Sequence, residues 1–165
     1  DTGNFKIGDT LTEGEDLNFR GIPSFSPEHF RYVNNADPMK SKQLYKGLDQ
    51  LMDEGVAQLF ILEMNGRRVI GTVGALQFEV IQYRLEHEYG AKCTYENLSV
   101  HKACWVEPED KKNDEFKEFK RVKQRYLAKD KQGQLVFLAD SAFTIQMTQS
   151  KYPSVKLHFT SEFKK

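Results

Sequence analysis

Residues 71–89, Gly-Thr-Val-Gly-Ala-Leu-Gln-Phe-Glu-Val-Ile-Gln-Tyr-Arg-Leu-Glu-His-Glu-Tyr, constrain this chain more than any other stretch. A strand ending at Val73 runs directly into an amphipathic helix, with no loop long enough to hold a substrate. The join consists of small residues and one amide: Gly71, Gly74, Ala75 and Gln77. Downstream, Phe78, Ile81 and Leu85 fall at i, i+3 and i+7 and so share one helical face. A join this tight belongs in a packed layer of helices on a sheet.

The surrounding pattern extends that reading. A strand is expected at 25–33. Asp37-Pro38 supplies a cap acceptor and a first-turn proline. The following helix places Leu44, Leu48 and Leu51 on one face and stops at Gly55. An apolar strand is expected at 56–62, an Asn65-Gly66 hairpin turn, a return strand at 68–73, the helix at 76–89 and a strand at 92–98. The order is β-α-β-β-α-β, the ferredoxin-like arrangement. The remaining third predicts a β-α-β-α-β extension: a strand at 103–106, a helix carrying Phe116, Phe119 and Val122, a strand at 135–139, a helix capped by Ser141 and ended by Pro153, and a last alternating strand at 155–159. The fold class is therefore α+β. Residues 1–20 read as a short acidic β segment, the trailing edge of a truncated barrel, because an isolated hairpin is marginal in water. Gly21-Ile22-Pro23 punctuates the chain as a linker. No internal repeat is visible.

Composition narrows function. Lys plus Arg is 24 and Asp plus Glu is 24, so zero net charge makes no global case for nucleic acid or an anionic membrane. No apolar run reaches transmembrane length. Cys93 and Cys104 form no CxxC pair and have no histidine at zinc spacing, so they read as reduced cysteines of a cytoplasmic protein. The chain does not begin with methionine, which suggests a piece of a longer protein.

Motifs for chemistry are missing: no P-loop, GxGxxG, HExxH or GxSxG occurs. His101 and Cys104 are close in sequence, but residues three apart on a strand point to opposite faces. No catalytic, cofactor-binding or metal-binding residue is assigned. One local feature stands out. Lys117, Lys120, Arg121, Lys123, Arg125, Lys129 and Lys131 face only Glu118 and Asp130 between positions 117 and 131, so seven minus two gives +5. Clustered cations are what phosphate binding requires, although a solvated helix face produces the same pattern. Lys120 and Arg121 are expected on a helix, Lys129 and Lys131 in a loop. Trp105 reads as core. An RRM would need aromatics on its central strands, and residues 68–73 have none. Acylphosphatase shares the fold, but the segment 21–27 lacks its loop arginine. Open alternatives are a stand-alone RNA- or protein-binding module and an acylphosphatase-like enzyme.

Five segments carry a family resemblance: Phe5-Lys6-Ile7-Gly8-Asp9-Thr10-Leu11-Thr12-Glu13-Gly14-Glu15, Gly21-Ile22-Pro23-Ser24-Phe25-Ser26-Pro27-Glu28, Val73-Gly74-Ala75-Leu76-Gln77-Phe78-Glu79-Val80, Trp105-Val106-Glu107 and Tyr152-Pro153-Ser154-Val155. In this order and spacing the chain resembles the C-terminal portion of bacterial peptide chain release factor three, a translational GTPase. The resemblance implies that residues 1–20 end a β-barrel domain and that 21–165 form a ribosome-contacting domain. It implies a parent that uses GTP or GDP with magnesium in a G domain and promotes release of class I release factors from the ribosome. This fragment would then supply docking and coupling, not hydrolysis, as a cytoplasmic monomer without a membrane partner. The family often has an arginine just before the Trp-Val pair. Here Cys104 stands there, and a thiol cannot replace a guanidinium's fork of donors.

Overall fold

A computed structural model describes residues 25–161. The readings made for residues 1–20 and for Gly21-Ile22-Pro23 lie outside them. The first unit comprises β1 (His29–Asn35), α1 (Ser41–Asp53), β2 (Gln58–Leu62), β3 (Arg68–Thr72), α2 (Gln77–Tyr89) and β4 (Cys93–Asn97). Its strands lie in the order β4-β1-β3-β2, every pair antiparallel. This is the ferredoxin-like order expected from the sequence.

The second half departs from expectation. It contains β5 (Lys102–Pro108), α3 (Asp114–Val122), β6 (Leu127–Lys129), β7 (Leu135–Ala139), α4 (Ala142–Lys151) and β8 (Val155–His158). The extra strand β6 turns the expected β-α-β-α-β extension into a second β-α-β-β-α-β unit, ordered β6-β7-β5-β8. Three residues are too few to show alternation, and β6 ends inside the basic run. The same topology thus occurs twice without a visible sequence repeat.

The two units join edge to edge through β2 and β6, with Ile61 opposite Lys129 and Leu62 opposite Ala128. The full order, β4-β1-β3-β2-β6-β7-β5-β8, reads as one unit followed by its reverse. Pairing the two inner edges removes the unpaired backbone groups that an open edge would expose. Directly opposite residues share a sheet face. Ile61 lies on the face of Leu59, which packs under α1 and α2; Lys129 lies on the face of Leu127, which packs under α3 and α4. All four helices therefore cover the same side of one sheet.

Each pair of helices seals its own core. Leu44, Leu48 and Leu51 of α1 meet Phe78, Ile81 and Leu85 of α2 over Leu59 and Ile70, as the two apolar stripes require. A Cβ on Gly47 would lie 2.7 Å from Leu85 Cδ2, so glycine permits the close approach of α1 to α2. In the second unit Phe116, Phe119, Ile145 and Tyr152 cover Leu127 and Phe137.

A third core lies on the helix-free side and belongs to both units. Phe30, Phe60 and Val69 of the first pack with Trp105, Val136 and Leu138 of the second. The rings of Phe60 and Trp105 are 6.2 Å apart although β2 and β5 are three positions apart in the sheet. A flat sheet would separate those strands by about 14 Å at the usual strand spacing. The sheet is therefore strongly curled, with its helix-free face concave.

The start of the described chain fastens the curl. The expected strand at 25–33 begins only at His29. Ahead of it, Phe25 bridges to Thr160, and the Ser26 amide donates to Phe159 O at 3.1 Å. The Glu28 amide donates to Thr72 O at 2.9 Å, and the Ala103 amide donates to Ser26 Oγ at 2.9 Å. Pro27 crosses so close to Gly71 that a Cβ there would lie 2.5 Å from its Cγ.

Candidate nucleic-acid interface

The basic run begins on α3. Asn113 caps the helix by accepting from the Phe116 amide at 2.7 Å. Phe116 and Phe119 turn inward, which leaves Lys117, Lys120 and Arg121 exposed on the outer face. Lys120 Nζ lies 4.8 Å from the Phe116 ring centroid, so its stem covers apolar surface while its charge stays in water. The Lys123 amide ends the helix by donating to Phe119 O at 2.9 Å. A 3-10 turn, Gln124–Tyr126, then aims Arg125 outward.

The seven cations do not act as one group. Lys129 sits in β6, not in a loop, and its Nζ is 3.5 Å from Glu63. Lys131 pairs with Asp53 and donates to Asp49 O at 3.2 Å. Both fasten the second unit to the first. Asp130 is also structural: it accepts from Trp105 Nε1 at 2.9 Å and from the amides of Gln132 and Gln134. By contrast, among the described residues Lys117, Lys120, Arg121, Lys123 and Arg125 have no carboxylate within ion-pair distance. The surface is therefore the five cations of α3 and its C-terminal turn.

Arg125 also stands at the rim of an open groove of about 350 Å³ where the two units meet. Tyr32, Asn65, Ser99 and Tyr126 line it, with Leu138 among its apolar residues. Sequence reasoning missed this groove, because the residues come from five separate segments and form no linear motif.

Other positions singled out by sequence are structural. Gln77 Oε1 accepts from the amides of Val73 and Gly74 at 3.1 and 2.9 Å, and its Nε2 donates to Val56 O at 3.0 Å. That amide locks the tight strand-to-helix join. Phe78 is buried, whereas Leu76 and Val80 face outward. Cys93 and Cys104 are buried free thiols. Burial pushes the Cys104 thiol up to about 12, so no thiolate forms at neutral pH, and His101 is exposed just before β5. The two do not form a nucleophile pair. Cys104 points into the core beneath α3 and α4, so this thiol does not reach an outside phosphate. Among the described residues no three His, Cys, Asp or Glu side chains converge on a metal-sized site, and no helix is long and apolar enough to cross a membrane.

The described residues form a duplicated α+β domain with an exposed basic helix face. Comparison with protein families makes the assignment specific. Residues 19–149 match the family described as class II release factor RF3, C-terminal domain. The chain belongs to this family, and it is a C-terminal domain of a translation termination factor. The matched region covers both units except for the end of α4 and the edge strand β8.

Proposed function

We propose that this domain docks a translation-termination GTPase on the ribosome and couples it to the departure of class I release factors. Nucleotide binding and the hydrolysis of GTP to GDP, with magnesium, fall to a G domain elsewhere in the parent. Membership of the release-factor family supports the ribosome as partner. The observation that carries the reading is the set of carboxylate-free cations, Lys117, Lys120, Arg121, Lys123 and Arg125, on a chain of zero net charge. Cations not spent on internal pairs are available to displace counterions from ribosomal RNA.

Replacing Lys120, Arg121, Lys123 and Arg125 together by glutamine tests this. Co-sedimentation with ribosomes is expected to weaken, and the salt dependence to flatten by up to about 0.7–0.9 in log–log slope for each phosphate no longer neutralised. Far-ultraviolet circular dichroism should be unchanged, because none of the four is buried. Unaltered affinity and slope would show that the helix is merely solvated. Calorimetry of the chain with GTP and GDP should give only heats of dilution; a micromolar affinity would overturn the division of labour.

A further inference from the structure

We propose that the groove beside Arg125 receives one unstacked nucleotide of single-stranded RNA, its base inside and its phosphate on the guanidinium. This rests on the ribosome-docking reading and deepens it. The chemistry of the walls selects the occupant. No carboxylate lines the groove, so an anionic ligand meets no opposing charge. Tyr32 and Tyr126 bring aromatic surface to it, and Asn65 and Ser99 bring groups that can donate to or accept from a base edge. Rings for stacking and polar groups for the base edge are the combination by which proteins hold splayed-out RNA bases. A volume of about 350 Å³ lies at the small end of ligand pockets, which suits one nucleotide and not a folded element.

The charge is placed to match. A second guanidinium, Arg67, lies 3.7 Å from the Tyr32 ring centroid, but it is paired with Glu96 at 2.8 Å. Arg125 is therefore the uncompensated cation at the groove. Lys117 and Arg121 stand one turn apart on α3, and the chain then runs directly into the turn that carries Arg125.

The probes are uridine 5′-monophosphate, adenosine 5′-monophosphate and inorganic phosphate, titrated into the 165-residue chain and followed by amide resonances. Both nucleotides are expected to shift residues 98–100 and 125–126. Phosphate alone should not, and Arg125→Gln should abolish the response. No shift, or equal shifts with phosphate, would overturn the proposal. In ribosome co-sedimentation, Ser99→Trp fills the groove from an exposed position and is expected to weaken binding about ten-fold, as for loss of one stacked base. If Ser99→Trp has no effect while Lys117, Lys120 and Arg121 replaced together by glutamine weaken binding, the groove is overturned and ribosome docking stands. If neither changes binding, both readings fall. If Ser99→Trp weakens ribosome binding but nucleotides shift nothing, the occupant is a protein side chain and the nucleotide proposal is overturned. Arg125→Gln, a surface change, guards against a folding defect in Ser99→Trp.

Discussion

The two units have the same strand order but are filled and fastened differently. The first is closed by aliphatic stripes, Leu44, Leu48 and Leu51 against Ile81 and Leu85, on two 13-residue helices. The second has helices of only 9 and 10 residues and closes with aromatic rings. Phe119 lies 5.7 Å from Phe137 and 5.6 Å from Tyr152, edge to face in both cases. Shorter helices offer fewer inward positions, and larger side chains compensate by burying more area each. The ties to the outer strands differ as well. In the first unit Gln82 Nε2 donates to Cys93 O, and Tyr95 OH donates to Phe78 O, both at 2.7 Å and both neutral. In the second, the Glu115 carboxylate accepts from the amide of Ser154 at 2.8 Å and from its hydroxyl. One topology can thus be built from unlike materials, although β4 of the first unit carries an ionic tie of its own, Glu96 with Arg67 at 2.8 Å.

The sharpest test of that contrast is truncation of each core. Phe119→Ala is expected to cost about 3–5 kcal/mol and Leu48→Ala about 2–5 kcal/mol in denaturant melts. Because the core around Phe60 and Trp105 belongs to both units, each variant should still unfold in one transition. A biphasic melt, with one unit surviving the other, would break the account of a shared interior.

Asp130→Ala should come next, at about 1–3 kcal/mol, because it leaves the buried Trp105 N–H without its acceptor and frees two backbone amides. The indole N–H resonance should move as the acceptor disappears. An unmoved resonance would show that the bond is not formed in solution.

Glu115 predicts a pH effect in the second unit. Its hydrogen bonds from Ser154 hold its carboxyl below the usual range. A depressed folded-state pKa contributes stability above the unfolded value, which is lost as pH falls through the folded one. Stability should therefore decline below about pH 4.3, the ordinary glutamate value, and Glu115→Gln should make that decline shallower. Equal acid slopes in the two proteins would remove the carboxylate from the account.

The smallest effect is expected at Tyr152. Its hydroxyl is buried and, among the described residues, meets no hydrogen-bond partner. Tyr152→Phe removes an unsatisfied group and should change stability by less than about 0.5 kcal/mol, or raise it slightly. A loss above about 1 kcal/mol would mean that the hydroxyl is bonded in solution.

What was legible in the sequence followed from local periodicity. The stripes of α1 and α2, the cap at Ser141 and the buried Trp105 appear as read, whereas Asp37 caps a 3-10 turn, Pro38–Lys40, ahead of α1 rather than α1 itself. The first unit was legible because its strands are long enough to show their pattern. The second was misread at β6, whose apolar content is Leu127 and Ala128 alone. The basic run was visible as charge, but its division was not. Lys129 and Lys131 are neutralised by Glu63 and Asp53, which are remote in sequence and become neighbours only when β6 joins β2. The groove was invisible for the same reason: only the meeting of the units brings Tyr32, Ser99 and Arg125 to one place.

The clasp formed by residues 25–28 has a mechanical consequence. This short segment is bonded at once to the far end of the second unit, through Phe159, and to the first, through Thr72. A pull or twist arriving along the chain from residues 1–24 is divided between both lobes at its point of entry. Neither lobe can be displaced alone without shearing bonds that lie side by side. The domain would therefore turn as a single rigid lever about this seam, with the cations of α3 carried on one arm.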